Sequence, residues 1–349
     1  FLFVNVATRV QLEVLVMSET KSKTLSVTLV PERDFKEFSS HNNNILAAVF
    51  YGKNTSISLS QDYLRIPVQI PQVGEQPLVE VWTSDLSHKV NQFENIFYAA
   101  NSDIVFGSIN FHETKIDGLE KLVFRAYKEI FDFLERMQYP FLARCWNYFP
   151  DINQENNGIE RYKLFCSGRH NAFAEKHQSM PCHLPAASAI GSQSGPLTIN
   201  FVAARNSKGE HIENPRQVSA YQYPIEYGQC SPSFARATYM DLEGSKYLYV
   251  SGTASIVGYK SCHKDNLLLQ LQETQENLDS LLNHSRCLLN KSGEKVEIKD
   301  ASVIKTYVRD VESLPLVKKL MEGTLTGAQS RLYLIGDICR SELLLEVEG

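Results

Sequence analysis

The 349 residues carry 35 lysines and arginines against 40 aspartates and glutamates, a formal charge of −5, with no basic block or Lys/Arg-rich tail. That balance argues against nucleic acid or an anionic membrane as a partner. The length suits about two domains, each large enough to bury a sizeable core.

Residues 1–16 are apolar but hold Arg9 and Glu13, fall short of a membrane span, and lack a basic flank leading to a small-residue cleavage site. They are expected to be an extension without function, ahead of a soluble, cytoplasmic protein that starts at the polar run after Met17. Strands are predicted at 25–30, 45–51, 78–83 and 104–111, each rich in β-branched or aromatic residues and bounded by Gly, Asn, Pro or Ser. The period then changes. Leu119, Leu122, Val123, Ala126, Ile130, Phe133 and Leu134 follow helical spacing within 116–137, and Tyr139-Pro140 ends that helix before a strand at 141–148.

After the Gly/Asn-rich break at 153–158 come strands at 197–204 and 247–251 and a long amphipathic helix at 265–289. A strand at 303–308, a helix at 314–321 and closing strands at 332–335 and 343–347 follow. Two successive runs of strand, long helix and strand suggest two similar α+β domains, 17–152 and 153–349, each a mixed sheet covered by helices on one side. The repeat is one of rhythm, without residue identity between the halves.

Seven cysteines, an odd number with no CxxC pair, fit reduced thiols in a cytosol. Cys182-His183 and Cys262-His263 invite a metal, but adjacent residues rarely ligate one ion together, so no metal site is expected. There is no GxGxxG, P-loop or HExxH motif, and no cofactor is expected.

Four segments carry the chemistry. In 343–348, alternation sends Leu344, Glu346 and Glu348 to one strand face and Leu343, Leu345 and Val347 to the other. An acid within such a run is either a desolvated carboxyl that keeps a proton for acid catalysis or a salt-bridged group at a sheet edge. Within 160–173, Arg169 beside Gly168 suits a carboxylate clamp, since glycine admits a ligand and guanidinium offers a fork; the alternative is a surface salt bridge. The tyrosines 221, 223 and 227, punctuated by proline and glycine, describe either a loop lining a site for a small, partly unsaturated ligand or one packing on the sheet. Small residues at 250–258 signal a cavity or a close backbone approach.

Five ordered blocks carry a resemblance: RYKLFCSGRHNAF at 161–173, YP..YG..SPSFARA at 223–237, SGTASIVG at 251–258, QETQENL at 272–278 and DICRSELLLEVEG at 337–349. Together they resemble the chorismatase family, whose chorismate-cleaving members share the wider RidA/YjgF fold. The match covers 150–349 well and the first half in rhythm only. It implies two RidA/YjgF-like domains, chorismate as small-molecule substrate, and a monomer or weak homo-oligomer.

By the same resemblance Glu346 is the catalytic acid, and Tyr162, Arg169 and Tyr223 hold the substrate's carboxylates and hydroxyl. Arg309 is a further cation placed near the site. Gly252 and Cys339 fall where subfamilies differ in product, and the pair is similar to the type that forms 3-hydroxybenzoate, with some 4-hydroxybenzoate, and pyruvate. The chain departs at Gln229-Cys230, where the family has proline and arginine, and at Tyr259-Lys260, where it has histidine and glutamate. Alternatives are hydrolysis of chorismate to a dihydroxycyclohexadiene carboxylate and pyruvate, and a non-catalytic ligand-binding protein of the same fold. A RidA-like imine deaminase would be a single short domain, which the length opposes.

Overall fold

The computed structural model describes residues 25–349 except 61, 115, 177–183, 208, 243–244, 290–300 and 325–329. The extension at 1–16 and the Cys182-His183 pair lie outside the described residues. A five-stranded sheet comes first: β1 (Leu25–Pro31), β2 (Ile45–Tyr51), β3 (Ser58–Leu59), β4 (Leu64–Val68) and β5 (Leu78–Ser84), in the order β1-β5-β2-β4-β3. Every residue of β2 is buried, which explains an apolar run without alternation. A short helix, α1 (Phe35–His41), lays Phe35 edge-on against Phe50 at 5.2 Å.

A β-β-β-α-β-α-β-β unit follows. β6 (Lys89–Phe93), β7 (Ile96–Ala100) and β8 (Ile104–Phe111) form a meander, and α2 (Leu119–Met137) crosses to β9 (Phe141–Pro150). The hairpin β10 (Glu155–Asn156) and β11 (Ile159–Glu160) leads into α3 (Arg161–Lys176). β12 (Ala186–Ser192) and β13 (Leu197–Ala204) complete a sheet of order β12-β9-β13-β8-β7-β6.

The plan then repeats. β14 (Glu210–Ile212), β15 (Ala237–Leu242) and β16 (Ser245–Val250) form the second meander, and a hairpin of β17 (Ile256–Val257) and β18 (Lys260–Ser261) precedes α4 (Leu267–Leu289). β19 (Val303–Val308), α5 (Leu314–Thr324), β20 (Ser330–Ile335) and β21 (Leu345–Glu348) finish it. Backbone bonds between Val250 and Gly349 at 2.7 and 3.4 Å, and between Thr253 and Val347 at 2.8 and 2.9 Å, join β16 to β21. The order becomes β14-β15-β16-β21-β19-β20, position for position that of the first unit, with parallel β9·β12 matched by parallel β19·β20.

The duplication expected from rhythm is present, but a boundary at 152/153 does not divide it. That cut parts β9 from β12 and β13, its two neighbours in one sheet. The repeat spans 89–204 and 210–348, behind a separate sheet at 25–84. β6 is largely exposed, with the polar sequence Lys-Val-Asn-Gln-Phe, and carries no strand pattern by which the true start could be seen.

Helices cover one face of each sheet: α2 and α3 pack on the first unit, α4 and α5 on the second. The other faces of all three sheets share one core, which holds Ile66 and Trp82, Phe106 and Trp146, and Tyr307 and Leu334. α2 ends as its sequence demands, with Gln138 left-handed at φ 61° and the Tyr139 N–H on the Leu134 carbonyl at 2.9 Å, ahead of Pro140. α3 packs against α2 at Gly168, where a Cβ would stand 2.3 Å from the Glu120 carbonyl oxygen. That glycine serves helix packing and not, as expected, the approach of a ligand to Arg169.

Candidate active site

The two units meet at a largely enclosed cavity of two adjoining lobes, about 60 and 40 Å³. The first unit contributes the α3 face that carries Tyr162, Cys166 and Arg169, spaced at helical intervals. The second contributes Glu346 from β21, Cys339 from the segment before it, and Gly252 just beyond β16. The loop into β15 adds Tyr223, Phe234 and Arg236. A larger groove of about 1120 Å³ beside Phe141 and Tyr221 is open, and its cations are engaged, Lys176 by Glu135 and Arg205 by the Ser102 carbonyl. Chemistry concentrates in the smaller cavity.

Glu346 is 4% exposed, and no described residue donates a hydrogen bond to its carboxyl. Burial, reinforced by the Glu348 charge and opposed by Arg144 and Arg236, pushes its pKa up to about 8. Glu348, two residues on and equally buried, is the reverse case. Burial alone would raise it, but Lys305 and Arg144, with a Ser188 hydrogen bond, hold it below the usual carboxylate range. Of two acids on one strand face, one therefore keeps its proton at neutral pH and the other does not.

Two of the cations facing the cavity, Arg169 and Arg236, are under-bonded. Arg169 is 3% exposed, and its Nε and Nη2 have no partner among the described residues; its guanidinium lies over the Tyr127 and Phe173 rings at 4.7 and 5.3 Å. Ser233 Oγ, also buried and unpartnered, lines the same lobe. Arg236 donates from Nη2 to the Val218 carbonyl at 3.0 Å and to the Tyr223 hydroxyl at 2.7 Å, leaving Nε without a partner. Buried polar groups are seldom left so, and the arrangement suits a ligand with anionic oxygens. Arg340 closes the other lobe, stacked over Tyr227 at 4.3 Å and Tyr223 at 5.4 Å and bonded from Nη1 to the Tyr259 carbonyl at 2.9 Å. Neither Arg236 nor Arg340 was singled out from sequence, although both lie within the resembling blocks.

Tyr162 lies against Cys166 and Cys339, and burial keeps its phenol protonated. Cys339 is likewise a thiol, raised first by burial and then by Glu346. Gly252 donates its N–H to Ser188 Oγ at 3.1 Å and the Ala187 carbonyl at 3.3 Å. A Cβ there would fall 1.8 Å from Glu346 Oε1. The space the glycine leaves is taken by the acid.

Arg309 does not line the cavity. Its guanidinium pairs with Asp337 and donates to Asn153 Oδ1 at 3.1 Å and to the carbonyls of Leu343 and Arg340, both at 3.0 Å. It braces the segment between β20 and β21, a structural duty that its sequence context does not distinguish from ligand binding. Tyr259, at a departing position, packs edge-on against Tyr227 at 5.7 Å and so walls the Arg340 stack.

Known proteins share this construction. A family model described as "Chorismatase FkbO/Hyg5-like, N-terminal" matches residues 80–203, close to the span of the first unit. A 3-hydroxybenzoate synthase of Streptomyces hygroscopicus is 32% identical over 312 residues, covering 88% of this chain and 91% of that one. A chorismatase of Streptomyces rapamycinicus is 30% identical over 299 residues, 85% and 89% of the two chains. A crystal structure of a chorismatase is similar with TM-score 0.85 and 28% identity, over 94% of this chain and 98% of that chain. Identity sustained along almost the whole of both chains, together with a common fold, shows that this chain belongs to the chorismatase family.

Proposed function

We propose that the protein cleaves the enolpyruvyl ether of chorismate to 3-hydroxybenzoate and pyruvate, with Glu346 as general acid. The observation that carries this reading is a protonated, buried carboxyl facing a cavity beside guanidiniums with unused donors. Chorismate offers the complement: two carboxylates, a ring hydroxyl and a vinyl ether. Glu346 transfers its proton to the terminal vinyl carbon, giving an oxocarbenium ion whose ring C–O bond then breaks with release of pyruvate. Arg169 and Arg236 hold the carboxylates, fixing the extended conformer and suppressing the pericyclic rearrangement, which needs a folded one. Capture of the ring carbon by the neighbouring ring hydroxyl, whose proton passes to the Glu346 carboxylate, gives an arene oxide. Return of that proton to the epoxide oxygen, aided by the Cys339 thiol, opens the ring C–O bond, and loss of a ring proton to the Glu346 carboxylate restores the acid and yields the aromatic acid with no net uptake of water.

Incubation of purified protein with chorismate tests this reading. Pyruvate and 3-hydroxybenzoate are expected in equal amounts by coupled assay and chromatography. A dihydrodiol as main product would replace internal capture by hydrolysis, and no pyruvate at all would remove the activity. Gly252→Ala sets a Cβ against Glu346 Oε1, so it is expected to displace the acid and lower pyruvate release about tenfold. Unchanged turnover would mean that the carboxyl relaxes without loss.

A further inference from the structure

Behind the cavity, and lining neither lobe, lies a buried row of alternating charges drawn from all three sheets. Glu80 on β5 accepts from Tyr51 at 2.6 Å and Trp82 at 2.8 Å, and pairs with Lys305 on β19 at 3.2 Å. Lys305 pairs in turn with Glu348 at 2.9 Å, and Glu348 with Arg144 on β9 at 2.5 Å. Tyr307 donates to Glu348 at 2.9 Å, and the Ser188 hydroxyl donates to it as well. The Glu348 carboxylate is thus bonded from three strands other than its own. Arg144 ends the row and is under-bonded: Nη2 serves Glu348 and Ser188, while Nε and Nη1 have no partner among the described residues.

Glu348 and Glu346 share a strand face, roughly 7 Å apart along the strand. We propose that Glu348 is a positioning residue for the reaction: a permanent buried anion that engages Arg144 and leaves Glu346 free to remain an acid. Four charges in the row balance, two of each sign. Without Glu348 the balance tips to positive, Arg144 has donors to spare, and Glu346 is the remaining carboxyl on that face of the strand. Glu346 would become the counter-ion, and a carboxylate cannot donate a proton. The charged or titratable groups about Glu346 are Glu348 on its own strand, Tyr307 opposite it on β19, Arg144 from β9, Arg236 and Tyr223 from the loop into β15, Cys339 and Arg340 before β21, and Tyr162, Cys166 and Arg169 from α3, with Glu160, Lys163 and Tyr227 lining the same lobe. Arg144 and Arg236 favour the ionised form of Glu346, and Glu348 opposes them.

The proposal rests on Glu346 as proton donor, and the test separates the two. In the wild type, kcat/KM for pyruvate release is expected to fall as pH rises through about 8. In Glu348→Gln that limb is expected to move down by about one to three pH units, with activity recovering on acidification. Adding Arg144→Met to Glu348→Gln restores the balance, and the limb is expected to return toward its wild-type position. A limb that stays in place in Glu348→Gln, or a loss equal at every pH, overturns the inference, since damage to the fold does not recover with acid. Where Glu348→Gln does not fold, Arg144→Met alone decides: the limb is expected to rise, and an unmoved limb overturns the inference. Glu346→Gln is the control. If it keeps the alkaline limb, the acid assignment itself fails; if it is inactive at every pH while Glu348→Gln keeps the wild-type limb, only the role of Glu348 fails.

Discussion

Glu346→Gln is expected to reduce pyruvate release from chorismate by about a hundred- to ten-thousand-fold, the range for loss of a general acid. Glutamine matches the protonated carboxyl in shape and charge, so melting temperature and substrate binding should change little. What disappears is the transferable proton. The sign of the pH dependence follows from the same group: its pKa is raised to about 8, the protonated form is the active one, and activity is full below that pH and lost above it. Steady-state rates across the neutral and alkaline range, with equilibrium binding of chorismate to the variant, check both statements. Turnover above about a tenth of wild type in Glu346→Gln would place the proton donor elsewhere.

Arg169→Lys is expected to raise KM for chorismate about tenfold or more, since a charge-assisted bond to a buried carboxylate is worth about 1.5–3 kcal/mol. Charge is preserved but the fork is not. A compact ammonium also gives up the stack over Tyr127 at 4.7 Å. The effect should be smaller for an analogue lacking one carboxylate, which distinguishes a clamp from a general loss of packing. Equal affinity in wild type and variant would shift the clamp to Arg236 or Arg340.

What was legible in the sequence follows from what a strand or helix must do to be seen. The strands at 104–111 and 197–204 are mostly apolar or β-branched because nearly every residue on both faces is buried, and they match β8 and β13 to the residue. β12, with sequence Ala-Ala-Ser-Ala-Ile-Gly-Ser, is just as buried but built of small residues that carry no strand signal. α3 escaped detection for a different reason: it packs on α2 at one side and turns Tyr162 and Arg169 to the cavity at another, so no single apolar stripe remains. Its residues were reached through the resemblance and not through periodicity.

The arginines show where reading by type stops. Arg309 and Arg236 are alike as letters, but one spends its donors on Asp337, Asn153 and backbone carbonyls while the other keeps Nε free beside the cavity. Only the partners, residues distant in the chain, decide between them. The glycines make the same point. Gly168 gives way to a helix and Gly252 to a carboxylate, and neither recipient is near it in sequence.

The seam between the repeated units has a consequence for folding. Glu346 reaches its working surroundings only when β21 has entered between β16 and β19 and the first unit has docked, because Arg144, Arg169, Arg236 and Gly252 come from places up to about two hundred residues away along the chain. Contacts of such long range form late, after helices and local meanders. During refolding, the helical signal should recover ahead of activity, and an intermediate with one folded unit should hold the secondary structure of half the molecule and none of its catalysis.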